Sequence, residues 1–132
     1  YLNWFFKLYG VVPIEPNASA AVSLKLIGQL LQAGEVVCLF PEGGHTRTGE
    51  LSKFRSGFEI ACRQVSSDKA VILPFYIKGL WGSRLSRSKH RGKELTGGLI
   101  RRPLKVSFGQ PISKDCAADV VKEQVFQLSQ QP

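Results

Sequence analysis

Short apolar runs alternate with stretches of helical periodicity along this 132-residue chain. The apolar runs are residues 10–14, 36–40, 70–77 (broken by Pro74) and 105–108, and the helical stretches are residues 18–33, 54–65 and 114–128. Strands that alternate with helices are typical of α/β domains. The length suffices for one domain with a core of its own. We therefore expect an α/β fold in which a mixed, mostly buried sheet is flanked by helices.

The ends of the helical stretches carry capping signals. Asn17 is a typical N-cap residue for the first helix, and Gly34 is placed to end it just beyond the C-cap. Ser113 is an N-cap residue of the same kind for the last helix. The run 36–40, VVCLF, has no polar alternation, which predicts a strand buried on both faces.

Three cysteines, Cys38, Cys62 and Cys116, are widely spaced along the chain. With no C-x-x-C and no Cys/His cluster, the sequence does not indicate a zinc site, and we expect no metal. Reduced thiols in an intracellular protein fit this pattern best. Cys38 lies in an apolar run and Cys62 in a helical stretch, so both are expected to be small core residues.

The stretch PEGGHTRTGE, which follows the run 36–40, combines glycines with polar groups of several kinds. At the carboxyl end of a buried strand it would lie where α/β folds bind ligands. Glycine N–H groups, histidine and arginine are donors for a phosphate, and Glu42 would accept a hydrogen bond from a hydroxyl or pin the loop. The alternative is a solvated turn without a ligand. We expect a substrate-binding loop made of Glu42, Gly43, Gly44, His45, Thr46 and Arg47.

Three further patterns do not indicate a catalytic site. The loop lacks the G-x-x-x-x-G-K-[ST] sequence of a nucleotide-binding P-loop. His45 and Glu50 lie five residues apart on a glycine-containing loop, a spacing that fixes no geometry between a base and its orienting acid. The serines at positions 83, 86 and 88 lack the G-x-S-x-G nucleophile elbow.

The net charge of +8 lies in one segment. Residues 78–105 contain nine basic residues and one acid, whereas nine basic residues balance nine acids elsewhere. Such a patch is expected to meet a polyanion: nucleic acid, an anionic membrane or an acidic protein. Against nucleic acid, the segment lacks a recognition-helix pattern, a zinc finger and an aromatic RNA-binding strand.

Three blocks resemble signature blocks of the glycerolipid acyltransferases, the family of 1-acylglycerol-3-phosphate acyltransferase. YGVVPIEPNAS resembles the second block. FPEG followed by TRTGEL.KF..G resembles the third, whose usual core is F-P-E-G-T-R-S, and VILPFYIKG resembles the fourth. The blocks occur in the family's order over residues 1–79. GLWGSRLSRS is similar to a stretch in one bacterial branch, the 2-acylglycerophosphoethanolamine acyltransferase/acyl-ACP synthetases, which are large multidomain proteins.

This resemblance implies acyl transfer from acyl carrier protein or coenzyme A to a hydroxyl of a lysophospholipid or glycerol phosphate, without a metal or organic cofactor. The family's base is the histidine of a His-x-x-x-x-Asp pair. The two histidines here, His45 and His90, are followed five residues on by Glu50 and Leu95. We therefore expect the pair upstream of residue 1, so that residues 1–132 are the downstream part of one acyltransferase domain, with further domains in the same polypeptide.

The third block departs from the family at its centre. Gly44 and His45 stand where the family has Thr-Arg, and the usual arginine is a ligand for the substrate phosphate. Histidine is titratable and cannot bind a phosphate through two parallel hydrogen bonds. Arg47 is the expected substitute. These weaker phosphate ligands favour a lysophospholipid with a head group over lysophosphatidate as the acyl acceptor.

The resemblance also suggests a partner for the basic segment, because the acyl acceptors lie in membranes and acyl carrier proteins are acidic. We expect a membrane or carrier contact through Trp81, Arg84, Arg87, Lys89 and Arg91. The expected location is the cytoplasmic face of a membrane, in bacteria the inner membrane, with no nucleic-acid partner. Two alternatives remain: a nucleic-acid-binding module that uses residues 78–105, and a membrane-docking domain that has lost its catalysis.

Overall fold

The structure, a computed structural model, describes residues 10–11, 20–66, 70–82 and 103–131. Its elements in chain order are helix α1 (Ala20–Gln32), helix α2 (Gly57–Cys62), strands β1 (Val71–Ile72), β2 (Phe75–Lys78), β3 (Lys105–Phe108) and β4 (Ile112–Ser113), and helix α3 (Ala118–Ser129). The cap predicted at Asn17 and most of the strand predicted at residues 10–14 lie outside the described residues.

Helix α1 ends as the sequence predicts. Gly34 has a φ of +86°, the left-handed conformation that glycine adopts most readily. Its N–H donates to Leu31 O, and the N–H of Glu35 donates to Leu30 O, each at 3.0 Å. These two bonds satisfy carbonyl groups of the last helical turn in the manner of a Schellman motif, so the helix stops at a defined position.

The core cluster lies between α2, α3 and the segment before α2. Its buried members are Phe54, Phe58, Ala118, Val121 and Val125. The second helix was expected over residues 54–65, but α2 occupies only Gly57–Cys62. Phe54 and Val65 are nevertheless buried, because an irregular segment beside a helix can bury its side chains too. The predicted helix bounds are therefore wrong.

The strands form two small antiparallel sheets instead of one mostly buried sheet. Strand β1 pairs with β4, with Val71 opposite Ser113, and β2 pairs with β3, with Phe75 opposite Phe108. Pro74 separates β1 from β2, as the sequence predicts, and β3 has the predicted bounds. None of the residues in these four strands is buried. The mixture of helices and strands is confirmed, but the described residues form no mixed, mostly buried sheet.

The run 36–40, expected as a buried strand, is in no strand of the described structure. Val36 is 97% exposed and Phe40 is 64% exposed, whereas Leu39 packs against the core cluster. Side chains alternate in extended backbone, so one side of this segment faces the core and the other faces solvent. The prediction of burial on both faces is wrong, and so is the core assignment of Cys38, whose thiol is exposed.

Cys62 keeps the structural role that the sequence predicts. Its side chain is half-buried against the core cluster. Burial raises the pKa of the Cys62 thiol, and among nearby charges Lys114 lowers this pKa and Asp115 raises it by smaller amounts. A thiol that stays protonated is a weak nucleophile. The cysteine is therefore a packing residue in this fold.

Helix α3 begins at Ala118, four residues after its predicted start. Ser113, the predicted cap, lies in β4, and its Oγ accepts a hydrogen bond from the Asp115 N–H in the following turn. The Ala118 N–H instead donates to Glu59 Oε1 at 2.7 Å. Because Ala117 has no side-chain acceptor, a carboxylate from α2 satisfies the free N–H at the start of α3. No local sequence signal predicts a cap from 59 positions away.

We expect Glu59→Ala to lower the free energy of unfolding by about 1–2 kcal/mol, because a partly buried N–H at a helix start would lose its charged acceptor. Glu59→Gln keeps an acceptor oxygen and should lose about half as much. Urea denaturation followed by circular dichroism measures both. Glu123→Ala is the matched control, since this exposed glutamate bonds only Gln127 in the described structure. A Glu59→Ala protein as stable as Glu123→Ala would show that the bond does not hold α3.

Candidate functional site

Residues 41–55, here called the glycine loop, are closed at their base by two hydrogen bonds. The Arg55 N–H donates to Pro41 O at 2.8 Å. Inside this closure, the Ser52 N–H donates to Glu42 Oε2, also at 2.8 Å. Glu42 thus pins the loop, which is one of the two roles expected for it. A loop whose ends are tied in this way holds its polar groups in a defined arrangement.

The core holds both ends of the glycine loop. Leu39 precedes it, Leu51 lies near its end and Phe54 comes just before Arg55, and all three belong to or pack against the core cluster. The loop was predicted at the carboxyl end of a buried strand. The neighbouring run 36–40 is not a strand, and the core cluster supports the loop instead.

Gly43 occupies a position that only glycine fills without strain. Its φ is +67°, and its N–H donates to Phe40 O at 3.1 Å in a tight turn. The Arg55 side chain lies directly against it, since a Cβ added at Gly43 would be 2.7 Å from Arg55 Nε and 3.0 Å from Arg55 Cδ. Both the backbone conformation and the packed arginine exclude a side chain here.

Gly44 differs from its neighbour because the space around it is open. A Cβ added at Gly44 would meet no atom within 4 Å. Gly43 uses its N–H inside the protein, whereas the Gly44 N–H has no acceptor among the described residues. Of the two glycine N–H groups expected to face an anion, the one at Gly44 is therefore the candidate donor.

Hydroxyl groups shape the second half of the glycine loop. Thr46 Oγ1 accepts hydrogen bonds from the N–H groups of Thr48 and Gly49, each at 3.2 Å. Thr48 Oγ1 accepts from the Glu50 N–H at 3.3 Å. Such side-chain bonds to the backbone two or three residues on are typical of tight turns. Thr46, which the sequence placed among the substrate-binding residues, orders the loop in this structure.

His45 and Arg47 are both exposed on the glycine loop. Within the described residues, neither side chain forms a hydrogen bond or an ion pair. No hydrogen bond joins His45 to Glu50 in the described structure. The two basic side chains, together with the open Gly44 N–H, can therefore bind an anion from solvent.

Trp81 connects the glycine loop to the start of the basic segment. A Cβ added at Gly49 would lie 2.8 Å from Trp81 Cε2 and 2.9 Å from Trp81 Nε1, so the indole covers this glycine. Trp81 is 38% exposed. The other expected membrane or carrier contacts lie outside the described residues: Arg84, Arg87, Lys89 and Arg91.

A row of three phenyl rings begins at the entry to the glycine loop. The ring centroids of Phe40 and Phe75 are 5.8 Å apart, and those of Phe75 and Phe108 are 6.2 Å apart. Phe40 and Phe108 are both more than 60% exposed. The row gives the loop an apolar border on the side of β2 and β3.

Two residues of the site were not identified from the sequence. These are Ser52 and Arg55, which occupy variable positions, written as dots, in the block L.KF..G. Their importance comes from contacts across the loop, to Glu42 and to Gly43, which sequence spacing does not predict.

Within the described residues, no group of three or more His, Cys, Asp or Glu side chains could hold a metal ion. No helix in the described ranges is long and apolar enough to cross a membrane.

Comparison with known proteins bears on the same part of the chain. The family model described as Acyltransferase matches residues 1–78, which is more than half of the chain and includes the whole glycine loop. No solved structure matches the chain significantly.

The adjacent glycines give a matched pair of substitutions. Gly43→Ala should destabilise the protein by about 1–2 kcal/mol, because a left-handed alanine is strained and its Cβ would displace Arg55. Gly44→Ala should change the free energy of unfolding by less than about 0.5 kcal/mol, because its Cβ enters open space. Chemical denaturation of both variants tests this difference. Equal effects of the two substitutions would contradict the described loop conformation.

Proposed function

Because the chain belongs to the acyltransferase family, we propose that it transfers an acyl group from a thioester of acyl carrier protein or coenzyme A to a hydroxyl of a lysophospholipid or glycerol phosphate. The observation that supports this acceptor is the closed glycine loop. It presents an open N–H group at Gly44 between a pinned carboxylate, Glu42, and two exposed basic side chains, His45 and Arg47. A phosphate suits this set of donors.

Glu42, one of the two carboxylates of the glycine loop, is engaged by the protein itself. Glu42 Oε2 accepts the Ser52 N–H at the base of the loop, so part of its charge is already engaged by the protein. A charged acceptor bonded in this way repels a bound phosphate less than a free carboxylate would. Arg47 supplies a positive charge, and His45 supplies a further hydrogen-bond donor. The loop therefore binds the acceptor phosphate and leaves the hydroxyl for reaction.

The chemical step needs a base that removes the hydroxyl proton. The oxygen attacks the carbonyl carbon of the thioester, a C–O bond forms, the C–S bond breaks and the thiol leaves. The base is the histidine of the His-x-x-x-x-Asp pair expected upstream of residue 1, because His45 is placed on the phosphate-binding loop. No metal or organic cofactor takes part in this step. General-base catalysis of this kind is typically worth 10²–10⁴ in rate.

The identity of the loop residues bears on the acceptor. With Gly44 and His45 at the centre of the block, the loop offers a weaker clamp than an arginine at the second position. A phosphodiester carries one negative charge and a terminal phosphomonoester carries up to two. The proposed acceptor is therefore a lysophospholipid with a head group, such as one bearing ethanolamine, in preference to lysophosphatidate.

The surface beside the loop suits a lipid interface. The exposed rings of Phe40 and Phe108 and the partly exposed indole of Trp81 offer apolar contacts next to the phosphate-binding loop. The basic segment 78–105 supplies attraction to anionic lipids or to an acidic carrier protein. We place the protein at the cytoplasmic face of a membrane, in bacteria the inner membrane.

Arg47→Ala tests the phosphate contact in a protein that includes the upstream His-x-x-x-x-Asp pair. The KM for the lysophospholipid should rise about 10–100-fold with a small change in kcat, because the contact is the same in the ground state and in the transition state. The melting temperature should stay within about 1 °C of wild type, since Arg47 is exposed and makes no described side-chain bond. Steady-state kinetics with acyl carrier protein and coenzyme A thioesters measures the effect.

Lys25→Ala is the control for Arg47→Ala, because it removes one positive charge from an exposed position on α1. Its KM should equal that of wild type. An Arg47→Ala enzyme with a KM within twofold of wild type would remove the loop from the acceptor site. Equal efficiency with a monoacylglycerol, which has no phosphate, would contradict the proposed substrate class.

A further inference from the structure

Arg55, the last residue of the glycine loop, places its guanidinium group against Gly43, although it lies outside residues 42–47, which the sequence indicated as substrate-binding. Its Nε, Cδ and Cζ atoms would lie 2.7, 3.0 and 3.1 Å from a Cβ at Gly43. Gly43 is the neighbour of Gly44, whose N–H and surroundings are open. The guanidinium thus lies one residue away from the candidate anion donor.

The backbone of Arg55 is fixed at the base of the same loop. Its N–H donates to Pro41 O at 2.8 Å, and the preceding residue, Phe54, is buried in the core cluster. An arginine on a mobile turn would lose side-chain and backbone entropy on binding a ligand. Here the backbone contribution is already lost on folding, so Arg55 is better prepared to bind than a residue at the loop tip.

The charge on Arg55 is not neutralised within the described part of the chain. No carboxylate forms an ion pair with its guanidinium there, and Glu42, at the base of the loop, bonds the Ser52 N–H. By contrast, Arg63, which follows α2, forms an ion pair with Glu59, with 3.6 Å between Arg63 Nη2 and Glu59 Oε2. A planar guanidinium without an acidic partner, exposed beside an open N–H group, is a typical donor set for a phosphate.

We propose that Arg55 is a substrate-binding residue whose guanidinium binds the phosphate of the acyl acceptor beside Gly44. This inference rests on the proposed function of the glycine loop. It assigns to Arg55 a single charge-assisted contact with the phosphate. The acceptor phosphate then lies between the backbone N–H of Gly44 and the guanidinium of Arg55.

Binding of sn-glycerol 3-phosphate to the chain tests the inference without requiring catalysis. Isothermal titration calorimetry compares wild type, Arg55→Ala, Arg55→Met and Arg63→Ala, with glycerol as the ligand that lacks a phosphate. We expect Arg55→Ala and Arg55→Met to bind sn-glycerol 3-phosphate at least about tenfold more weakly than wild type, because each removes a charge-assisted contact. Arg63→Ala removes the same charge from the end of α2 and should bind within twofold of wild type.

Arg55→Met separates binding from packing. Methionine keeps an unbranched apolar chain against Gly43 and removes the guanidinium. If Arg55 only packs on the loop, Arg55→Met binds as tightly as wild type, and that result overturns the inference. Melting temperatures of the variants close to that of wild type, together with weakened binding, support a direct contact with the phosphate.

The outcomes also separate this inference from the function on which it rests. If wild type binds sn-glycerol 3-phosphate and Arg55→Ala binds it within twofold, Arg55 is not a ligand and the proposed function stands. If wild type binds a lysophospholipid but not sn-glycerol 3-phosphate, the same comparison of variants with the lysophospholipid decides the role of Arg55. If wild type binds neither, the proposed acceptor and the role of Arg55 are both overturned.

Discussion

The hydrogen bonds that close the glycine loop are the interactions on which the candidate site depends. Arg55 N–H to Pro41 O and Ser52 N–H to Glu42 join the two ends of a long polar segment. Ordering each free residue of such a segment costs about 1–2 kcal/mol in backbone entropy, so a loop open at its base would not hold its donors in place. Phe54 belongs to the core cluster and Leu39 packs against it, so these two residues attach the closed base of the loop to the core.

Closure at the base also decides which groups are available for binding. Glu42 and the Gly43 N–H are used inside the protein, whereas the Gly44 N–H, His45 and Arg47 are left to solvent. Hydroxyl groups of Thr46 and Thr48 order the rest of the loop without using these donors. The chemistry proposed for the loop therefore follows from the contacts that its other polar groups make within the protein.

Local patterns in the sequence predicted those helix ends and strand bounds that depend on neighbouring residues. The glycine that ends α1 at Gly34, the break at Pro74 and strand β3 were all predicted from residue types and spacing. The run 36–40 was assigned wrongly, because an apolar run does not say whether a partner strand covers each of its faces. The cap on α3 from Glu59 and the contact of Arg55 with Gly43 join distant positions, and no periodicity carries that information.

The account's central claim is that the acceptor phosphate binds at Gly44, and nuclear magnetic resonance tests it most directly. Titration of the ¹⁵N-labelled chain with sn-glycero-3-phosphoethanolamine, a water-soluble phosphodiester, should shift the amide resonances of Gly44, His45 and Arg47. Gly34, which lies at the end of α1, should not shift, and glycerol should leave all of these resonances unchanged. Shifts confined to the basic segment 78–105, or no shifts within the glycine loop at saturating ligand, would contradict the account.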